Sequence, residues 1–159
     1  QLLDAALSDS SLRVRKAAMQ SSALLARRHR GQGAALASAV AKRLQAPHWQ
    51  ERVAAAVALS NWPAHGKSNE LVSALRSDDK GFVRSAAARA LAASDKADTV
   101  IYQALDRAAN HQHESLEPVR IEAVKALHSL GGTAALKTLQ RVQSQDPSPR
   151  VRRLARQPK

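Results

Sequence analysis

The chain has 159 residues, 44% of them apolar and only 3% aromatic, with no cysteine and a formal net charge of +12. That apolar content is too high for a disordered tail of such charge. The missing cysteine excludes disulfides, thiolate catalysis and cysteine-ligated zinc, and no apolar run reaches the ~18 residues of a membrane span. Alanine and leucine dominate, while Trp49, Trp62, Tyr102 and Phe82 are the whole aromatic supply. Alanine favours helix but buries little surface, so such a core requires many helices in repeated contact.

Taken in chain order, the helical signals are regular. Ser10 or Ser11 can cap a helix carrying Arg15, and residues 34–44 space Leu36, Val40 and Leu44 four apart. Residues 61–69, with Pro63 and Gly66, read as a loop. Val83, Ala87, Ala90 and Leu91 form the next stripe; Ser94 and Asp95 then precede a helix with Val100, Ile101, Leu105 and Ala108. A polar connection over residues 110–115 leads to Pro118, at a first-turn position where a missing amide costs nothing. Val119, Ala123, Val124 and Leu127 follow, and Gly131-Gly132 ends their helix. Leu136, Leu139 and Val142 repeat at three. Pro147 lies at or near the first turn of a last helix expected to stop, incomplete, near Arg156.

One spacing recurs through these elements. An acidic residue is followed six positions later by an arginine and then by small residues, at Asp9–Arg15, Asp78–Arg84, Glu114–Arg120 and Asp146–Arg152. Ala46–Arg52 is a degenerate copy. The arginines are separated by 37, 32, 36 and 32 residues, the length of two short helices and their turns. The prediction is an all-α solenoid of about ten helices in about five hairpins, without a sheet.

The segments "DSSLRVRKAAMQS", "DDKGFVRSAAARAL", "ESLEPVRIEAVKAL" and "DPSPRVRRLA" resemble the HEAT repeat, particularly its short bacterial and phycobilin-lyase-type forms. The resemblance runs along essentially the whole chain, 1–159, and implies a right-handed α-solenoid. It also implies a structural role for Arg15, Arg52, Arg84, Arg120 and Arg152 at the start of each second helix, paired with the acid or with carbonyls of a neighbouring repeat. The second copy, "APHWQERVAAAVAL", lacks the acid and carries Glu51 where the others have valine, so an altered register or tilt is expected there. Terminal repeats need a solvent-compatible outer face, and none follows Arg156; the chain is therefore expected to be one region of a longer protein.

The charge is uneven: residues 1–43 carry +6, residues 44–99 carry +1 and residues 100–159 carry +5. Arg13, Lys16, Arg27, Arg28, Arg89, Lys125 and Arg153 are the candidate partner-binding residues. An acidic protein is the favoured partner, steered by basic ends; the alternative is sequence-nonspecific DNA or RNA binding. Position five beyond the column arginine reads Gln20, Val57, Arg89, Lys125 and Gln157, which is not an uninterrupted basic stripe, and no aromatic residues alternate with the patches.

Catalytic and cofactor readings fail on residues. HEAT-like alkyl-base glycosylases imply tryptophans with an aspartate, yet no aspartate lies between residues 10 and 77. HEAT-like di-iron hydroxylases imply recurring His-Glu pairs, and only His113-Glu114 occurs, in a polar connection. His29, His48, His65 and His128 are scattered, no serine sits in a nucleophile elbow, and Gly31 and Gly33 lack the following lysine of a phosphate loop. No catalytic residue, metal or cofactor is expected. The sequence does not choose between cytoplasm, slightly favoured, and periplasm. The reading is a non-catalytic protein-interaction or scaffold module.

Overall fold

The computed structural model describes residues 2–28, 33–62, 66–94 and 98–156. Among them are ten α-helices: α1 (Leu2–Leu7), α2 (Leu12–Arg28), α3 (Gly33–Lys42), α4 (Trp49–Ser60), α5 (Ser68–Ser77), α6 (Gly81–Leu91), α7 (Thr99–Ala109), α8 (Glu117–Leu130), α9 (Gly132–Gln145) and α10 (Pro149–Arg156). A single 3-10 turn, Arg43–Gln45, continues α3, and no strand occurs among the described residues. This is an all-α helical-repeat, solenoid-like arrangement.

The packing is two rows of helices. α2, α4, α6, α8 and α10 lie side by side in one row, each against its own first helix, α1, α3, α5, α7 or α9. Sequence explains the close row. Three residues beyond each column arginine stands an alanine: Ala18, Ala55, Ala87, Ala123 and Ala155, all buried. A methyl group there lets neighbouring second helices approach closely. One turn further on, Leu59, Leu91 and Leu127 are wholly buried and fill the space between the rows. The first helices contribute Val40, Leu71, Ile101, Leu105 and Leu139 to the same continuous core.

Polar ties fix the order of the rows. The Tyr102 hydroxyl donates to the Gly131 carbonyl at 2.9 Å. Asp106 on α7 accepts from Thr138 and Arg141 on α9. Gly131 ends α8 with φ +67°, a left-handed conformation in which a side chain is strained.

Two boundaries differ from expectation. The cap of α7 is Asp98, whose Oδ1 accepts the Ile101 amide at 2.9 Å, rather than Ser94 or Asp95. Asp98 directly precedes the first helical residue, Thr99, where its side chain reaches the third amide, whereas Ser94 stands four residues further back and Asp95 lies outside the described residues. The loop predicted over 61–69 ends early, because α5 already begins at Ser68; residues 63–65 lie outside the description.

Candidate functional site: an arginine ladder and the exposed face of the second helices

Each column arginine sits in the first turn of a second helix and makes the same two backbone bonds. Its Nη1 donates to the carbonyls six and five residues earlier: Asp9 and Ser10 for Arg15, Ala46 and Pro47 for Arg52, Asp78 and Asp79 for Arg84. Arg120 reaches Glu114 and Ser115, and Arg152 reaches Asp146 and Pro147. These carbonyls belong to the turn that delivers the chain into the helix, so the guanidinium fixes that turn. The degenerate second copy keeps both of these bonds, so its register is not altered at the arginine.

The other edge of the guanidinium crosses to the next repeat. Arg52 donates from Nε and Nη2 to Asp78 at 2.7 and 2.9 Å. Arg84 does the same to Glu114 at 2.7 and 2.9 Å, and Arg120 to Asp146 at 2.8 and 3.3 Å. Such two-point pairing is the strong form of the ion pair. Of the two partners expected from sequence the acid is used, and it comes from the following repeat, whereas the carbonyls come from the arginine's own repeat. Each acid also accepts the amide two residues on, as Asp9 does from Ser11, Asp78 from Lys80, Glu114 from Leu116 and Asp146 from Ser148. Hydrogen bonds to the partner carboxylates hold Arg15, Arg52 and Arg84 above the ordinary arginine range, against desolvation that lowers them.

At the first junction the acid is missing, and Glu51 replaces it. The residue just before the column arginine faces the preceding repeat; Val83, Val119 and Val151 are wholly buried there. Glu51 occupies that position and reaches back to accept from Arg15 Nη2 at 2.9 Å and from Arg43 Nη1 at 3.5 Å. Sequence reasoning marked Glu51 as a departure but missed its role. The signal was a paired change, acid lost at 46 and acid gained at 51.

The column arginines are therefore turned into the turn edge, away from the exposed face of the second helices. That face is made by positions two before, one after and five after each column arginine. On α2 these are Arg13, Lys16 and Gln20; on α4, Gln50, Val53 and Val57. On α6 they are Phe82, Ser85 and Arg89; on α8, Pro118 and Lys125, with Ile121 buried beneath them; on α10, Arg150 and Arg153. A cleft of about 600 Å³ joins the middle of the face, lined among others by Val53, Phe82, Arg89, Ile121, Lys125 and Arg150. Five of the seven candidate partner-binding residues, Arg13, Lys16, Arg89, Lys125 and Arg153, thus fall on one face, and Arg89 and Lys125 line this cleft. Lys125 is paired with Glu122 at 2.7 Å. Arg27 and Arg28 lie in the last turn of α2, and their side chains are outside the described residues.

The feature the sequence reading missed is aromatic. Phe82 is 71% exposed and stacks on the half-buried Trp49 of the neighbouring helix, with ring centroids 5.5 Å apart. The stacking holds the exposed Phe82 ring in a fixed place on the surface. Its only sequence signal was its position, two residues before Arg84, on the exposed face. Among the described residues there is no group of three or more potential metal-ligating side chains, and no helix is long and apolar enough to cross a membrane.

A family model described as HEAT repeats matches residues 69–157, more than half of the chain. No curated protein matches the chain.

Proposed function

We propose that this chain, which belongs to the HEAT-repeat family, acts as a non-catalytic scaffold and binds another protein through the exposed face of its second helices. The partner segment is acidic towards its ends and apolar at its centre. The exposed Phe82 on its Trp49 support carries this reading. Around it the half-buried Val53 and Val57 and, at the base of the cleft, the buried Ile121 are apolar, and the face is basic to either side at Arg13 and Lys16, and at Arg150 and Arg153. A partner with that pattern buries an aromatic anchor centrally and neutralises the rim, the usual division between affinity and steering. Family resemblance further supports a right-handed superhelix of five hairpins.

The same face argues against a nucleic-acid tract. A phosphate backbone needs repeated cations along its path, and the row is interrupted at α4 by Gln50, Val53 and Val57. The test is titration of a labelled peptide with a leucine-rich centre and glutamates towards both ends, beside random duplex and single-stranded DNA. Near physiological salt the peptide binds, and F82A weakens it by about tenfold or more while the helical spectrum is unchanged. Joint reversal of Arg89 and Lys125 to glutamate weakens it further. DNA binding tighter than the peptide's and indifferent to F82A overturns the reading.

A further inference from the structure

The turn edge carries a cleft at three of its junctions, and they are not alike. Beside the Arg84–Glu114 pair the cleft is about 210 Å³, beside Arg52–Asp78 about 340 Å³, and beside Arg15, at Ala46, about 630 Å³. The enlargement has a direct cause. At a regular junction an aspartate or glutamate enters from the turn and takes both Nε and Nη2 of the preceding arginine. Ala46 brings only a methyl group to that place, and Glu51, entering from α4, takes Nη2 alone. Arg15 Nε is left with no acceptor among the described residues, unlike Nε of Arg52, Arg84 and Arg120.

The surroundings of this half-used fork are cationic. Lys42, exposed at the end of α3, and Arg43, in the 3-10 turn, line the same cleft as Arg15. Arg43 is only loosely held, 3.5 Å from Glu51 and 3.1 Å from the Ser8 hydroxyl. Against these three cations stand Asp9 and Glu51, so the cleft keeps one positive charge in excess. Asp9 is already turned onto the Ser11 amide and Glu51 is shared by two arginines.

We propose that the cleft at Ala46 is a binding site for one carboxylate group, which enters where the repeat acid is missing and accepts from Arg15 Nε and Lys42. The three regular junctions show that this guanidinium, oriented by the same backbone carbonyls, suits a planar carboxylate. A single negative charge also matches the cleft's excess, whereas a phosphate dianion meets both Asp9 and Glu51. The carboxylate comes either from a small organic acid or from an aspartate or glutamate of a bound protein. This site lies on the turn edge, apart from the face bearing Phe82, and does not depend on the reading given for that face.

The arginine Nε–H resonances report the site directly. The whole chain is titrated with propionate, with an end-blocked peptide holding one aspartate, and with inorganic phosphate. The Arg15 Nε–H signal is expected to shift and saturate, while those of Arg52, Arg84 and Arg120 stay in place. Saturation by propionate assigns a small acid, and saturation by the peptide alone assigns a protein side chain; both support the site. In A46D/E51V, which rebuilds the regular junction, the ligand-induced shift is lost. K42E, at an exposed side chain, keeps the fold and weakens binding at least threefold, so the test survives if the double variant does not fold. No shift at Arg15 with either carboxylate, preference for phosphate, or undiminished binding in K42E overturns the proposal.

Discussion

The Arg120–Asp146 junction and the Arg15–Glu51 junction perform the same connection with different parts. In the first, arginine and acid are 5% and 1% exposed, and both guanidinium nitrogens of the outer edge meet one carboxylate. In the second, the carboxylate comes from the neighbouring helix rather than the turn, binds one nitrogen, and is shared with Arg43. The lesson is that the array requires a carboxylate in a place, not an acid at a sequence position. The residue before the column arginine already looks at the preceding repeat, so it can supply that carboxylate when the turn does not.

Breaking the ladder at different rungs separates its parts. R120M strands the buried Asp146, and removing one partner of a buried pair costs about 3–5 kcal/mol; urea denaturation is expected to show that loss. R15M costs clearly less, because its pair is single and more open to water. R152M costs least of the three, about 1 kcal/mol, since Arg152 makes only the two carbonyl bonds among the described residues. Equal losses for all three contradict the division into a turn-fixing edge and a repeat-joining edge.

Much of this was readable beforehand. The acid-to-arginine spacing marked four of the five repeats and Ala46–Arg52 the degenerate fifth, and the buried alanine three residues beyond each arginine shows why small residues follow it. Which partner each arginine chooses was not readable, because an acid and an arginine six apart belong to one repeat in sequence but not in space. The Phe82–Trp49 stack was hidden for a related reason: its rings come from neighbouring second helices, 33 positions apart in the chain. Asp98 was missed as a cap because Ser94 and Asp95 offered equally good capping chemistry a few residues earlier.

Smaller effects sharpen the comparison at the Arg52 junction, where a second acid is present. Asp79 pairs with Arg52 at 2.7 Å and with Lys80 at 2.9 Å, and is itself well exposed. The hydrogen bond from Lys80, with the charges of Lys80 and Arg52, lowers its pKa. A lowered carboxylate adds stability above its unfolded-state pKa, and that part is lost as pH falls through the folded-state value. D79N should therefore remove only a small part of the acid-side pH dependence and leave the melting temperature at neutral pH almost unchanged. A large neutral-pH loss means that Asp79, rather than Asp78, carries this junction.

Thermal denaturation of E51V beside A46D/E51V tests the substitution of one carboxylate for another most directly. E51V is expected to melt lower than the parent by about 4 °C or more, since Arg15 and Arg43 lose their shared partner. Adding A46D, which returns the acid to the turn, is expected to recover most of that loss. An E51V variant as stable as the parent, or a double variant no better than E51V alone, contradicts the account.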